Sequence, residues 1–139
     1  MRLPLACALL ATVACAHLRG GSRDDLDAQI AAYCKALHWK DFDAAGALVV
    51  PEHRTRWRQR RDAARDEQDL SIDECEERQA RLSPAGDSAV ALVRLRWTRL
   101  PDPVEKGGVV EQHWRYRNGV WLLLDDAGAP LAPPRPAGR

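Results

Sequence analysis

Apolar and polar positions recur along this chain with two different periods, and the change from one to the other falls near residue 70. Before it, Leu26, Ile30, Tyr33, Cys34 and Leu37 lie at helical spacing within residues 24–38, with Asp24, Asp25 and Asp27 in a first turn where carboxylates suit the helix dipole. Asp41 is placed to cap a second, shorter helix whose apolar stripe is Phe42, Ala45, Leu48 and Val49. Pro51 fits a first helical position and Glu52 a first turn, so a third helix is predicted to run to about Asp66. Its stripe is thin, Trp57 and Ala64. Arg54, Arg56, Arg58, Arg60, Arg61 and Arg65 cover much of the remainder, which predicts a helix on the outside of the domain.

From Leu70 the period is that of strands. Leu70 to Leu82 is a polar strand with a weak pattern, Pro84-Ala85-Gly86-Asp87 a turn, and Ala89 to Arg99 a strong strand rich in Val, Leu and Trp. Leu100 to Gly108, with two prolines and two glycines, reads as a loop. Asn118-Gly119 between Val109–Arg117 and Val120–Asp125 is the sharpest local signal, a two-residue hairpin whose turn demands positive φ at both central residues. That turn pairs Arg117 with Val120, Tyr116 with Trp121, Arg115 with Leu122, Trp114 with Leu123 and His113 with Leu124. Trp114, Tyr116, Trp121 and Leu123 then share the core face. The opposite face mixes Glu111, His113, Arg115 and Arg117 with Val109, Val120, Leu122 and Leu124, a blend suited to a protein partner or a second copy of the chain. Residues 127–139, rich in Ala, Gly and Pro, are expected to form a disordered tail.

The amino terminus carries one early charge, Arg2, and then an apolar run, Leu3 to Ala14, too short to span a bilayer as a helix. It reads as the hydrophobic region of a signal peptide. The run ends in Thr12, Val13, Ala14 and Cys15, which resembles the lipobox of bacterial lipoproteins. Thr12 stands where that family usually has Leu, and Pro4 interrupts the early run. The resemblance implies cleavage before Cys15, a diacylglycerol on its sulfur, a tether over residues 15–23 and lipid-anchored residence on the periplasmic side of a bacterial envelope. Ala14-Cys15-Ala16 also has the form of an ordinary secretory cleavage site, which would release a soluble chain beginning at His17.

Composition changes this picture little, since 139 residues with 45% hydrophobic and 29% charged positions describe one ordinary domain. Lys plus Arg number 21 and Asp plus Glu 20, so loss of Arg2 would balance them and leave no global field for nucleic acid. With Cys7 removed and Cys15 lipidated, Cys34 and Cys75 remain, and both a bridge between them and two separate buried thiols fit an exported protein. No Cys-x-x-Cys or His-x-x-x-His spacing occurs, so neither a metal nor another cofactor is expected.

Three helices followed by a meander of about four antiparallel strands make an α+β domain with helices packed on one face of a curved sheet, here over residues 24–126. The long first helix, Trp39-Lys40-Asp41-Phe42 opening a second, and the Trp114–Trp121 hairpin together resemble the nuclear transport factor 2-like, or SnoaL-like, superfamily. That resemblance implies a conical cavity between sheet and helices, which Tyr33, Trp97, Trp114, Tyr116 and Trp121 would line. Family members use it for small-ligand binding or catalysis, or leave it filled as a scaffold. Isomerases of this type set a first-helix tyrosine against acids of the sheet. Tyr33 meets the first requirement, whereas the strong strand presents Ala89, Ala91, Val93, Leu95 and Trp97 without a carboxylate. Tyr33 is therefore expected to be a core residue with its hydroxyl near the rim, and Glu111 with His113 a surface pair. The expected function is a membrane-tethered, non-catalytic binding or scaffold domain, with a small-ligand carrier or isomerase-like cavity enzyme using Tyr33 as the rival.

Overall fold

The computed structural model describes residues 20–128 and 130–131, so the signal run, Cys15, most of the tether and residues 132–139 lie outside it. Helix α1 (Arg23–His38) opens at Ser22, whose hydroxyl accepts from the Asp25 amide, and buries Leu26, Ile30, Tyr33 and Leu37. Helix α2 (Phe42–Ala47) opens at Asp41, whose carboxylate accepts from the Ala44 amide at 2.9 Å. A 3₁₀ turn, Pro51–His53, leads into α3 (Arg54–Ala63), and a single turn, α4 (Asp66–Asp69), follows.

The third helix is thus shorter than its sequence pattern suggests. Arg65 adopts the left-handed conformation, φ 56°, which ends α3 and turns Asp66 inward. Nor does α3 lie wholly outside, because Trp57 and Arg61 are buried on one face. They are four residues apart and therefore point the same way.

The sheet is a four-stranded antiparallel meander, β1 (Leu70–Leu82), β2 (Ser88–Arg99), β3 (Asp102–Arg117) and β4 (Val120–Ala127), in that spatial order. The expected loop over 100–108 is mostly strand, since only Leu100 and Pro101 turn the chain before Asp102 pairs with Arg99. Backbone groups along β2 need partners, and Gly107 and Gly108 supply them opposite Arg96 and Leu95. Because β4 pairs no further than Glu111, this half of β3 is a sheet edge, where Pro103 is tolerated. The outer edge of β4 is in turn covered by residues 48–50, with Leu123 donating its amide to Leu48 and accepting from that of Val50.

The Asn118-Gly119 turn has φ of 53° and 83°, and four of the five pairs that the turn predicts are present. The fifth is not. A bulge after Trp114↔Leu123 sets His113 against Asp125 and Gln112 against Asp126, leaving Leu124 as the extra residue. One inserted residue exchanges the two faces of a strand, so Asp126 rather than Asp125 points into the core.

Two ties fix α1 to the sheet. Cys34 and Cys75 are bonded, with Cα atoms 5.5 Å apart, joining the helix to β1. At the other end Gly21 donates its amide to Gly86 and lies so close to Trp121 that an added Cβ would stand 2.3 Å from the indole nitrogen. Only glycine fits there. Finally, Pro130 and Leu131, expected to belong to a disordered tail, are buried, and Leu131 is part of the hydrophobic core.

Candidate functional site

The space between α1, α3 and the sheet holds an unusual number of polar groups for a core. Tyr33 projects from the middle of α1 and donates its hydroxyl proton to Asp126 Oδ2 at 2.7 Å. The Trp57 indole donates to the same hydroxyl at 3.3 Å, and Trp57 and Trp114 stand edge-on to the Tyr33 ring at 6.3 and 6.2 Å. Trp114 in turn donates to Gln112 Oε1 at 3.1 Å. Tyr33 is fully buried, so its hydroxyl is not near a rim, and the acid that β2 lacks comes from β4.

Beside this pair the Arg61 guanidinium lies under the Trp57 ring, 5.9 Å from its centroid. Its Nη1 is 3.1 Å from Asp66 Oδ2, an ion pair without the alignment of a hydrogen bond. Arg99, reaching over from the end of β2, donates to Asp66 Oδ1 at 2.7 Å and to the Ala64 carbonyl at 2.9 Å. Asp66 has no solvent exposure and Arg61 only 2%, so both charges depend on one another and on their neighbours.

Burial dominates the acidity of the tyrosine–aspartate pair. It pushes the Tyr33 hydroxyl well above its ordinary value, helped by the neighbouring Asp126 charge. It also raises Asp126, although Arg61 and the Tyr33 hydrogen bond oppose the shift. The sign of the linkage follows. Asp126 contributes stability that is fully present below the ordinary carboxylate pKa of about 3.9 and is lost as pH rises through its higher folded value. We expect the stability of the wild-type chain, relative to Asp126→Asn, to fall across that window and then level off. Denaturation midpoints of both forms between pH 3 and 8, on the order of one point per half unit, check this; parallel curves would mean that water reaches the carboxylate.

The aromatic residues expected to line one cavity are spread over the core. Tyr33 and Trp114 meet. Tyr116 and Trp121 pair at 5.3 Å beneath Gly21, toward the hairpin turn. Trp97 pairs with Ile72, eight residues along β2 from the Ala89 that faces Trp114, and so about 26 Å away. The largest buried side chains between helices and sheet include Trp57, Trp114, Tyr33 and Leu131. A hollow of about 400 Å³ opens at the sheet surface, lined in part by Arg81, Leu82, Val90, His113, Arg115 and Leu124.

The remaining polar candidates occupy the surface. His113 accepts or donates to Glu111 at 2.6 Å in an exposed pair. His38 and His53 bond the carbonyls of Ile72 and Leu124. Acids of β1 pair with Arg96, Arg78 and Arg23 rather than with α3. On α3 itself Arg58 meets Asp43 and Asp62, and just beyond it Arg65 meets Asp69, while Glu52 pairs with Arg117 of β3, which holds its carboxyl down to about 2. Among the described residues there is no group of three side chains able to hold a metal, and no helix is long and apolar enough to cross a membrane.

No protein-family model matches the sequence, and no curated protein matches it. Solved structures do match the fold. A protein with a cystatin-like fold from Nostoc punctiforme is 17% identical, with a TM-score of 0.56 over 78% of this chain and 92% of that one. A SEC-C motif-containing protein from Rhodopseudomonas palustris is 19% identical, TM-score 0.56, over 68% and 71%. An LEH-like epoxide hydrolase from M. tuberculosis is 14% identical, TM-score 0.51, over 74% and 77%. At these identities the likeness is one of fold. The domain is an α+β cone of helices on a curved four-stranded antiparallel sheet, the fold class that the order of elements predicts.

Proposed function

We propose that this chain is an envelope lipoprotein, held on the periplasmic side of a membrane by lipid on Cys15, whose domain binds a partner rather than catalysing a reaction. The observation that carries the non-catalytic reading is that Tyr33 and Asp126, the two groups a cavity enzyme would employ, are bonded to each other and buried among Trp57, Trp114 and Leu131. One feature supports export, and a second sets what an anchor would impose on the domain. The Cys34–Cys75 bond suits an oxidising compartment. Gly20 also packs against the β1–β2 turn only five residues after Cys15, a contour of at most about 18 Å, so lipid at Cys15 would keep that end of the cone beside the bilayer. The outer sheet face, with Val90, Val109 and Val120 exposed among Glu111 and Arg115, is the surface we assign to a protein partner or a second copy.

Radiolabelled palmitate fed to cells expressing the full chain should label the protein, and Cys15→Ala should abolish the label and release the chain from membranes. Unlabelled wild-type protein in the soluble fraction would end the lipoprotein reading. Two observations favour the rival small-ligand reading: the tyrosine-and-acid pair is present, and the fold is shared with an LEH-like epoxide hydrolase. An interior ligand would have to displace whatever now fills the cone.

A further inference from the structure

The buried Arg61 and the partly exposed Arg99 hold the chain's own Pro130–Leu131 segment. Arg61 Nη2 donates to the Leu131 carbonyl, and Arg99 Nη2 donates to the Pro130 carbonyl at 3.3 Å. Leu131 is 1% exposed and belongs to the same hydrophobic cluster as Tyr33 and Trp57. The segment therefore presents what a small ligand would present, a branched apolar group ending in a carbonyl oxygen.

The fit is incomplete in a way that identifies a better occupant. A guanidinium offers five N–H donors in a planar fork that matches two oxygens side by side. In Arg61 only Nη2 has an acceptor, the Leu131 carbonyl, while the buried Nε and Nη1 have no aligned acceptor among the described residues, and neither has the buried Asp126 Oδ1 a donor. Orphaned buried donors are costly, each about 1–3 kcal/mol. Charge points the same way. Arg61 and Arg99 share the single fully buried carboxylate of Asp66, and whenever Asp126 holds a proton the cluster carries one positive charge in excess.

We propose that Pro130–Leu131 occupies the domain's own ligand site, and that the external ligand is a short apolar carboxylate whose two oxygens replace the Leu131 carbonyl at Arg61. This goes beyond the reading above and does not depend on the lipid anchor, since a chain without lipid would carry the same site.

The probe is 4-methylpentanoate, leucine without its amino group, with 4-methyl-1-pentanol as its uncharged counterpart, titrated calorimetrically into the full chain and its Leu131→Ala variant. The variant is expected to bind the acid about tenfold tighter than wild type does and about tenfold tighter than it binds the alcohol, and adding Arg61→Met should erase the preference for the acid. Equal affinity for acid and alcohol would reduce the site to an apolar void, and a folded variant that binds neither would make Leu131 an ordinary core residue; either result overturns the proposal. Should Leu131→Ala fail to fold, wild type serves alone. Saturating 4-methylpentanoate should speed proteolysis between residues 127 and 131 several-fold, by on the order of the displaced fraction of the segment, and an unchanged or slower rate would refute competition for the site.

Discussion

Asp66→Ala should destabilise the domain by about 3–5 kcal/mol, because it removes the one carboxylate that two guanidiniums share and leaves Arg61 charged in a dry environment. The effect is far larger than an exposed pair delivers. Arg58, with partners at 2.9 and 3.1 Å but open to water, should lose about 1 kcal/mol or less on truncation to alanine. Chemical denaturation of the two variants makes the comparison, and a cost for Asp66→Ala near that of Arg58→Ala would show that solvent relieves the buried charge. A second arm sharpens the argument. If the penalty comes from an uncompensated cation, Asp66→Ala combined with Arg61→Met should recover part of it, since a buried pair replaced by apolar groups is often tolerated. The segment that Arg61 and Arg99 hold should loosen as well, so Pro130 and Leu131 should become protease-accessible in the single variant.

Loss of the Cys34–Cys75 bond is expected to cost a similar amount by a different route. The bond spans 41 residues, and closing a loop of that size restricts the unfolded chain enough to contribute about 4 kcal/mol. For a domain of roughly 100 residues this corresponds to a drop of about 15–30 °C in Tm. The Cys34→Ala/Cys75→Ala chain, and the wild type in reductant, should melt together at the lower temperature. Identical midpoints with and without reductant would mean that the thiols are free in the native protein. The bond joins α1 to β1, whereas the Asp66 cluster joins α3 and α4 to the end of β2, so the two losses should add when combined.

Much of the fold was legible because its signals are local. Ser22 and Asp41 mark helix starts through their own side chains, and Asn118-Gly119 sets the register of β3 against β4 by the backbone angles it demands. The site was less legible because its members are brought together by events that no local pattern encodes. Asp126 reaches Tyr33 only through the bulge at Leu124, and one residue of slip is invisible in a strand reading Leu-Leu-Leu-Asp-Asp. Arg61 was hidden among six arginines. Its four-residue spacing from Trp57 did place it on the buried face, but a charge is read as outward by default. The strand over 102–108 was masked by prolines and glycines whose turn preference yields to the hydrogen-bonding needs of β2.

Opposite the β4 side, which residues 48–50 cover, β1 forms the other outer border of the sheet. That border is broken by two register shifts and studded with Asp73, Glu74, Glu76, Glu77, Arg78 and Arg81. Irregular spacing and mixed charge deny a neighbouring chain the straight, neutral row of amides on which cross-molecule ribbons grow. Copies crowded together are therefore not expected to grow into ribbons through this border.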